Sequence, residues 1–457
     1  MKKQRTVVYR CSGCGHEEPK WLGRCPECGE WNTLAEAAAA PKTGIGPGAG
    51  TGIGAVYPVP LSSVDSSEVA RVGSGLPELD RVLGGGIMKR STVLVGGEPG
   101  IGKSTLLLEM AAKARVKGRV LYVSGEESPG QIKMRADRLK LDTGRIELLC
   151  SGRLEQIETT LNNVRPVIVI IDSAQTLWSQ DAGVVPGTVN QMKYCCFELV
   201  NWVKEHDSAL FLVAHVTKEG VISGPKTIEH MVDTVLYFEQ TVSDSSLSAA
   251  GDSRFLRAAK NRFGSVDEIG IFTMGENGLT PVDDPSQLFL VRREGALPAG
   301  VAVAAVLEGT RSFLVEIQAL MIPAKGAASR VYSDRIDSGR VSRIAATVEK
   351  ALQLRLSDQD LFVNIAGGIR INEVGIELAL AAALYSARTG LPLPANTAIA
   401  GELSLAAEVR PVRRLPSRIK TAANLGFTAF VGPPSEESAQ TAGVKTLTEA
   451  VRMLYPR

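Results

Sequence analysis

Through the middle of this chain, short unbroken apolar runs alternate with stretches whose apolar residues recur every three or four positions. Ser91–Val95, Val120–Ser124, Val167–Asp172, Leu210–His215 and Thr234–Phe238 are rich in Val, Ile and Leu and have no polar alternate face. Such runs predict strands buried on both sides. Ser104–Ala114 (STLLLEMAAKA) has helical spacing instead. Strand and helix in turn from about 59 to 285 predict an α/β unit with helices flanking a mainly parallel sheet. A second alternation begins after Pro285, with strands near 301–307 and 312–318. Amphipathic helices are expected there near 339–355 and 374–388, and another over Leu415–Leu425.

Two stretches break the pattern. Residues 35–58 collapse to Ala, Gly, Pro and Thr and cannot bury a core, so they predict a flexible tether spanning roughly 25–30 Å as a random coil. Gln240–Asp252 (QTVSDSSLSAAGD) is small and polar and predicts a loose loop. The expected organisation is therefore 1–34, 35–58, 59–285 and 286–457.

The 457 residues are 44% apolar, as suits a globular protein of two or three domains, and the formal charge is only +2. Nucleic-acid binding must then come from local basic patches, since a generally cationic surface is absent. No apolar stretch follows the charged start, so no secretory signal is expected. No run of about 18 apolar residues occurs, so no membrane span is expected either. Four of the seven cysteines form two close pairs, which suits a metal site in a reducing, cytoplasmic setting better than a disulfide framework.

Residues 97–105 carry the chemistry. Gly97, Glu98, Pro99, Gly100, Ile101, Gly102, Lys103, Ser104 and Thr105 form a complete phosphate-binding loop between a predicted strand and a predicted helix. Its glycines let backbone N–H groups curl around phosphate at a helix N-terminus. Lys103 is placed to reach the β- and γ-phosphates of ATP, and the Ser104 hydroxyl to ligate Mg²⁺. Asp172 ends an apolar strand, as expected for the carboxylate that orients Mg²⁺. Glu126 follows the neighbouring strand and is the first candidate for the base that polarises the attacking water; Glu127 is the reserve, with helix capping as its alternative role. His215 closes another strand and is a candidate γ-phosphate sensor or an ordinary structural histidine.

Cys11-x-x-Cys14 and Cys25-x-x-Cys28 are separated by ten residues, and two such pairs can wrap one tetrahedral ion. Zinc is the expected occupant, with iron as the alternative. So small a unit depends on the metal for folding free energy on the order of 10 kcal/mol. Lys20, Trp21 and Arg24 are candidates to touch nucleic acid or a partner protein, or are purely structural.

Val72–Gly86 (VGSGLPELDRVLGGG), followed by the phosphate loop, resembles the entry to the RecA/KaiC-type ATPase core. Ala259–Gly264 contains Lys-Asn-Arg-Phe-Gly, the signature of the bacterial RadA (Sms) family of DNA repair proteins, and is similar to the Lys-Asn-Arg stretch of DnaB-type hexameric helicases. The four-cysteine start and the C-terminal third follow the same order, so the resemblance covers essentially the whole chain. Met88-Lys89-Arg90 departs from it, since the family usually has a Pro-Gly turn there. The resemblance implies a homo-oligomeric ring, expected to be a hexamer, in which Lys260 and Arg262 reach into a neighbour's ATP site. It also implies loops lining a central channel, with Lys218 and Lys226 as candidates for DNA phosphates.

The segments 308–320 and 401–412 resemble the proteolytic domain of Lon proteases. Where Lon carries Gly-Pro-Ser-Ala-Gly, this chain has Ile371-Asn-Glu-Val-Gly-Ile376 with no serine, and Lys420 lies about one turn beyond the Lon lysine's place. The resemblance thus implies a non-proteolytic, α+β scaffold for oligomerisation and DNA binding, with Arg330, Arg335, Arg340, Arg343 and Lys350 as a candidate basic surface. The fold expected is a RecA-like core between a zinc-binding N-terminus and this Lon-like domain. The function implied is an ATP-driven motor acting on single-stranded and branched DNA, branch-migrating recombination intermediates with RecA. A KaiC-like ATP-switched clamp or signalling ATPase without translocation is the alternative.

Overall fold

The structure is a computed structural model that describes residues 7–11, 17–18, 20–21, 23–26, 31–38, 60, 62, 71–183, 188–215, 227–240, 253–291, 293, 297–324, 329–333, 335–435 and 441–455. Two compact units are present, Met1–Ser66 and Ser67–Arg457.

In the first unit, Val7–Cys11 is the centre of a three-stranded antiparallel sheet, flanked by Glu17–Glu18 and Leu34–Ala38. The predicted tether therefore starts later than residue 35. Alanine is a poor strand former, but Leu34–Ala38 pairs along its whole length with Val7–Cys11, and the backbone ladder outweighs side-chain preference. The rest of the tether, 39–58, lies outside the described residues.

In the second unit a nine-stranded sheet forms the ATPase part. Its order is Gly278–Pro281, Ile269–Gly275, Ser253–Asn261, Thr234–Gln240, Thr92–Gly97, Ala209–His215, Ile168–Asp172, Val120–Ser124, Ile146–Cys150. The last six are parallel and the first three run antiparallel. All five predicted strands are in the parallel part, and their residues divide between two cores. Val93, Val95, Ile168 and Ile170 pack into one face, and Leu94, Val169 and Ile171 into the other. That double burial is why the runs carried no polar alternation. The antiparallel strands and Ile146–Cys150 were not foreseen; the latter is an edge strand with mixed exposure and so lacks an apolar signature.

At Met88–Arg90 the missing Pro-Gly turn is replaced rather than lost. Arg90 takes the left-handed conformation usual for glycine, with φ of 56°. Its backbone N–H donates to Ser208 O at 2.7 Å, and its guanidinium pairs with Asp207 at 2.8 Å.

The C-terminal part is a mixed seven-stranded sheet, ordered Val331–Ser333, Gln359–Ile365, Arg311–Pro323, Val301–Glu308, Thr397–Ile399, Ala429–Gly432, Thr441–Gly443. Helices Ser338–Leu352 and Glu377–Thr389 pack on it. Phe255, Ile269 and Ile271 from the nine-stranded sheet join the same core, so the two sheets are fused through shared apolar burial. A buried ion pair adds to the join: Arg311 Nη1 donates to both oxygens of Glu78, at 3.1 and 3.0 Å. No helix among the described residues is long and apolar enough to cross a membrane.

Where a Lon-type serine would stand, the chain places Glu373, and that carboxylate is committed. It accepts from Leu307 N at 2.8 Å and pairs with both terminal nitrogens of Arg418. Arg418 is fully buried and also donates to Ala305 O at 2.6 Å and Arg413 O at 3.0 Å. Lys420, two residues on, is exposed. The pair is a structural peg. Replacing Arg418 by Met should strand the Glu373 charge and cost about 3–5 kcal/mol, read as a lower thermal midpoint. Pairing it with Glu373→Gln should restore part of that loss, and a midpoint equal to the unaltered protein's would contradict the assignment.

Candidate functional site

The C-terminal ends of three parallel strands and the phosphate loop meet around a cavity of about 400 Å³ bordered by Lys103, Ser104, Glu126, Glu127, Asp172 and His215. The strand Thr92–Gly97 leads into the loop and the helix Lys103–Lys113 leaves it. Gly100 and Gly102 have φ of 78° and 113°, a conformation that costs glycine nothing and strains other residues. A side chain at Gly102 would also strike Met274 Cε at 2.5 Å.

Lys103 is buried, and its ammonium donates to Gly97 O at 2.7 Å and Glu98 O at 2.9 Å. Burial lowers its pKa from the ordinary lysine value, with Asp172, Glu126 and Glu98 pulling the other way. Its third contact is His215 Nδ1 at 3.3 Å. An ammonium has only donors, so Nδ1 must be the acceptor, which leaves the proton on Nε2. That nitrogen faces Glu126 Oε1 at 3.4 Å, and the same oxygen accepts from Ser173 Oγ. The His215 ring thus bridges the loop lysine to the candidate base.

Both glutamates border the cavity, but their partners differ. Glu126 turns to His215 and Ser173, whereas Glu127 is tied to Arg135 in an ion pair. Helix capping is not the role of Glu127: Ser128 caps the helix Pro129–Arg138 in a reciprocal box with Gln131. Asp172 is buried at its strand end and accepts from Tyr122 Oη at 2.6 Å. Burial, then Asp172 itself, push the Tyr122 phenol well above its ordinary pKa, so it stays a donor. Tyr122, Ser173, Arg135 and Arg138 were not singled out from sequence. Tyr122 lies inside an apolar run and reads there as core; the other three carry no motif.

Lys260 and Arg262 do not border this cavity. Asn261 pairs with Thr234, and Thr234 with Val93, so the Lys-Asn-Arg-Phe-Gly turn lies at the opposite edge of the sheet from Gly97. Four residues of strand, about 13 Å, separate the two edges. Lys260 is spent on its own chain, donating to the carbonyls of Glu229, His230 and Val232 at 2.8, 3.3 and 2.6 Å. Burial and Arg262 lower its pKa. The Arg262 side chain is 59% exposed and has only a 3.5 Å contact with Asp233.

In the first unit, Cys11 and Cys25 are buried together beside Tyr9, and Cys11 Sγ lies 3.2 Å from Thr33 Oγ1. Two sulfurs converging, with only Tyr9 packed against them among the described residues, fit a soft metal. Cys14 and Cys28 lie outside the described residues, as do Lys218 and Lys226. Of the basic set in the C-terminal part, Arg340 donates to the carbonyls of Asn372 and Glu373, and Arg343 pairs with Glu377. Those two guanidinium groups hold the fold and are less open to a ligand than the sequence suggests.

Family models match in the same order along the chain: a rubredoxin metal-binding domain over residues 9–36, an AAA domain over 58–221, and subunit ChlI of Mg-chelatase over 337–436. A protein of Treponema pallidum described as DNA repair protein RadA is 54% identical, the match covering 95% of this chain and 93% of the relative. The chain belongs to the RadA family of DNA repair proteins. Relatives of the same description in Bacillus subtilis and Listeria monocytogenes are 42% and 41% identical, with 97% and 100% of this chain covered and 97% and 99% of theirs. Family membership brings the parts together as a RecA-like ATPase core with an N-terminal zinc ribbon and a Lon-like C-terminal domain.

Proposed function

We propose that this chain is a DNA-dependent ATPase motor that assembles as a ring, expected to be a hexamer, and works on single-stranded and branched DNA in the cytoplasm. The reading extends to branch migration of recombination intermediates alongside RecA. The observation that carries it is the split site: Lys103, Glu126, Asp172 and His215 gather at one sheet edge, while exposed Arg262 sits at the other. A guanidinium there cannot serve its own nucleotide and is placed for a neighbour's. Supplied in trans, it stabilises charge developing on the γ-phosphoryl group and makes hydrolysis depend on ring geometry.

In this reading residues 97–105 cradle the ATP phosphates, and Lys103 shifts its donors from loop carbonyls to phosphate oxygens. Ser104 and Asp172 supply hard oxygen donors for Mg²⁺, which neutralises phosphate charge when bound. Glu126 takes the proton from the attacking water as the γ-phosphoryl group leaves ADP. His215 then reports the change, because it touches both Lys103 and Glu126. Lys260 braces the turn that presents Arg262. In the same reading Lys218 and Lys226 neutralise DNA phosphates. Cys11, Cys14, Cys25 and Cys28 hold Zn²⁺ as a closed structural site.

ADP release, measured with and without an oligonucleotide, tests the catalytic assignments. Lys103→Ala should abolish nucleotide binding, whereas Glu126→Gln should bind ATP normally and turn over about 10²–10⁴-fold more slowly. Unchanged turnover in either would remove that residue from the site. Arg262→Ala should bind ATP but lose DNA-stimulated hydrolysis. Mixing it with Lys103→Ala chains should restore activity at roughly one interface in four; no recovery would rule out the trans arrangement. For the metal, Cys28→Ser should lower zinc content from about one per chain to near zero, and full zinc retention would refute the four-cysteine site.

A further inference from the structure

Residues 1–34 hold two of the four tryptophans of the chain, and both are on the surface: Trp21 is 54% and Trp31 70% exposed. Trp202, by contrast, is buried and donates to Asn162 Oδ1 at 2.9 Å. A unit this poor in core gains most by burying its largest apolar side chains, so leaving both outside marks a surface with a use.

The two rings form one patch. Arg24 and Trp31 face each other in an antiparallel bridge, and Asn32 N donates to Gly23 O at 2.9 Å. The Cβ position that Gly23 lacks lies 3.8 Å from both Trp21 Cη2 and Trp31 Cζ3, so the rings converge over the same glycine. The Arg24 guanidinium stands 5.8 Å from the Trp31 ring centroid, and Lys20, next to Trp21, is exposed. Charge points the same way. Residues 1–34 contain six Lys and Arg against four Glu, and the remainder of the chain is balanced at 45 against 45. Carried to the end of the sheet at Ala38 the count is six against five, so the cationic character is local, at Lys20 and Arg24 beside the rings.

We propose that Trp21 and Trp31 are a stacking platform for unpaired bases, with Lys20 and Arg24 facing the adjoining phosphates. The proposal rests on the reading of the protein as acting on DNA and adds a second contact point, selective for single strands. Aromatic rings interleaved with cations match a polyanion whose flat bases are exposed. Duplex DNA keeps its base faces inside the stack and offers such rings nothing. Trp and Arg also serve protein-docking surfaces, so loss confined to a protein partner is an outcome that the test must separate.

The test compares the intact chain with Trp21→Ala, Trp31→Ala and Trp31→Phe by fluorescence anisotropy. The probes are a thymidine oligonucleotide of about 30 residues and an abasic oligomer of equal length, and zinc content is measured in parallel. Each alanine variant should lose about tenfold in affinity for the thymidine oligomer, keep its affinity for the abasic one, and retain its zinc. Trp31→Phe should stay within about threefold of the unaltered protein. Alanine variants that retain zinc and bind thymidine oligomer normally would overturn the platform. So would an equal loss on both probes, or a loss confined to binding of a protein partner. If the unaltered chain binds neither probe, the DNA reading itself fails, and that outcome is distinct from a failure of the variants alone.

Discussion

The register of six parallel strands is the constraint on which the rest depends. Because these strands share one direction, their C-terminal ends collect the phosphate loop, Asp172, Glu126 and His215 at one edge. His215 pairs in register with Gly97, and Ser124 with Asp172. The site is therefore assembled by backbone hydrogen bonds between residues far apart in sequence. Side-chain contacts then refine it. The His215 ring, 3.3 Å from the Lys103 ammonium and 3.4 Å from Glu126, is the piece that joins the loop lysine to that carboxylate.

The same register explains why the molecule is incomplete as a single copy in the proposed function. The antiparallel return through Ser253–Asn261 carries the Lys-Asn-Arg-Phe-Gly turn to the other edge. In that proposal the exposed Arg262 is displaced from the phosphate loop of its own chain by four residues of strand length, so a neighbouring copy must supply the charge. The fused cores and the Glu78–Arg311 pair make the C-terminal sheet a rigid extension of the ATPase sheet. A change at the nucleotide can then be felt there without a flexible joint.

In the Lon-like part, side-chain pairing fixes the stretch Ile371–Ile376. A buried Glu373–Arg418 pair stands in the place of the proteolytic serine, and its hydrogen bonds to Leu307, Ala305 and Arg413 knit strand, loop and helix together. Buried ion pairs of this kind seldom add net stability over an apolar packing. What this one supplies is a single geometry for the loop between Ile371 and Ile376.

Local features of the chain were enough for some conclusions. The phosphate loop was legible because its glycines and Lys103 act through backbone shape over nine consecutive residues. The parallel strands were legible because burial on both faces removes polar alternation, and the cysteine pairs because metal geometry restricts spacing. Folding in three dimensions decided the rest. Which glutamate meets His215 depends on Arg135 claiming Glu127, and which basic residue is exposed depends on carbonyls from Glu229 to Val232 claiming Lys260. Those choices rest on hydrogen bonds and ion pairs between residues with no fixed spacing along the chain. A pattern of apolar and polar letters records what each residue prefers to be near, and only the packed structure says which competitor reaches it first.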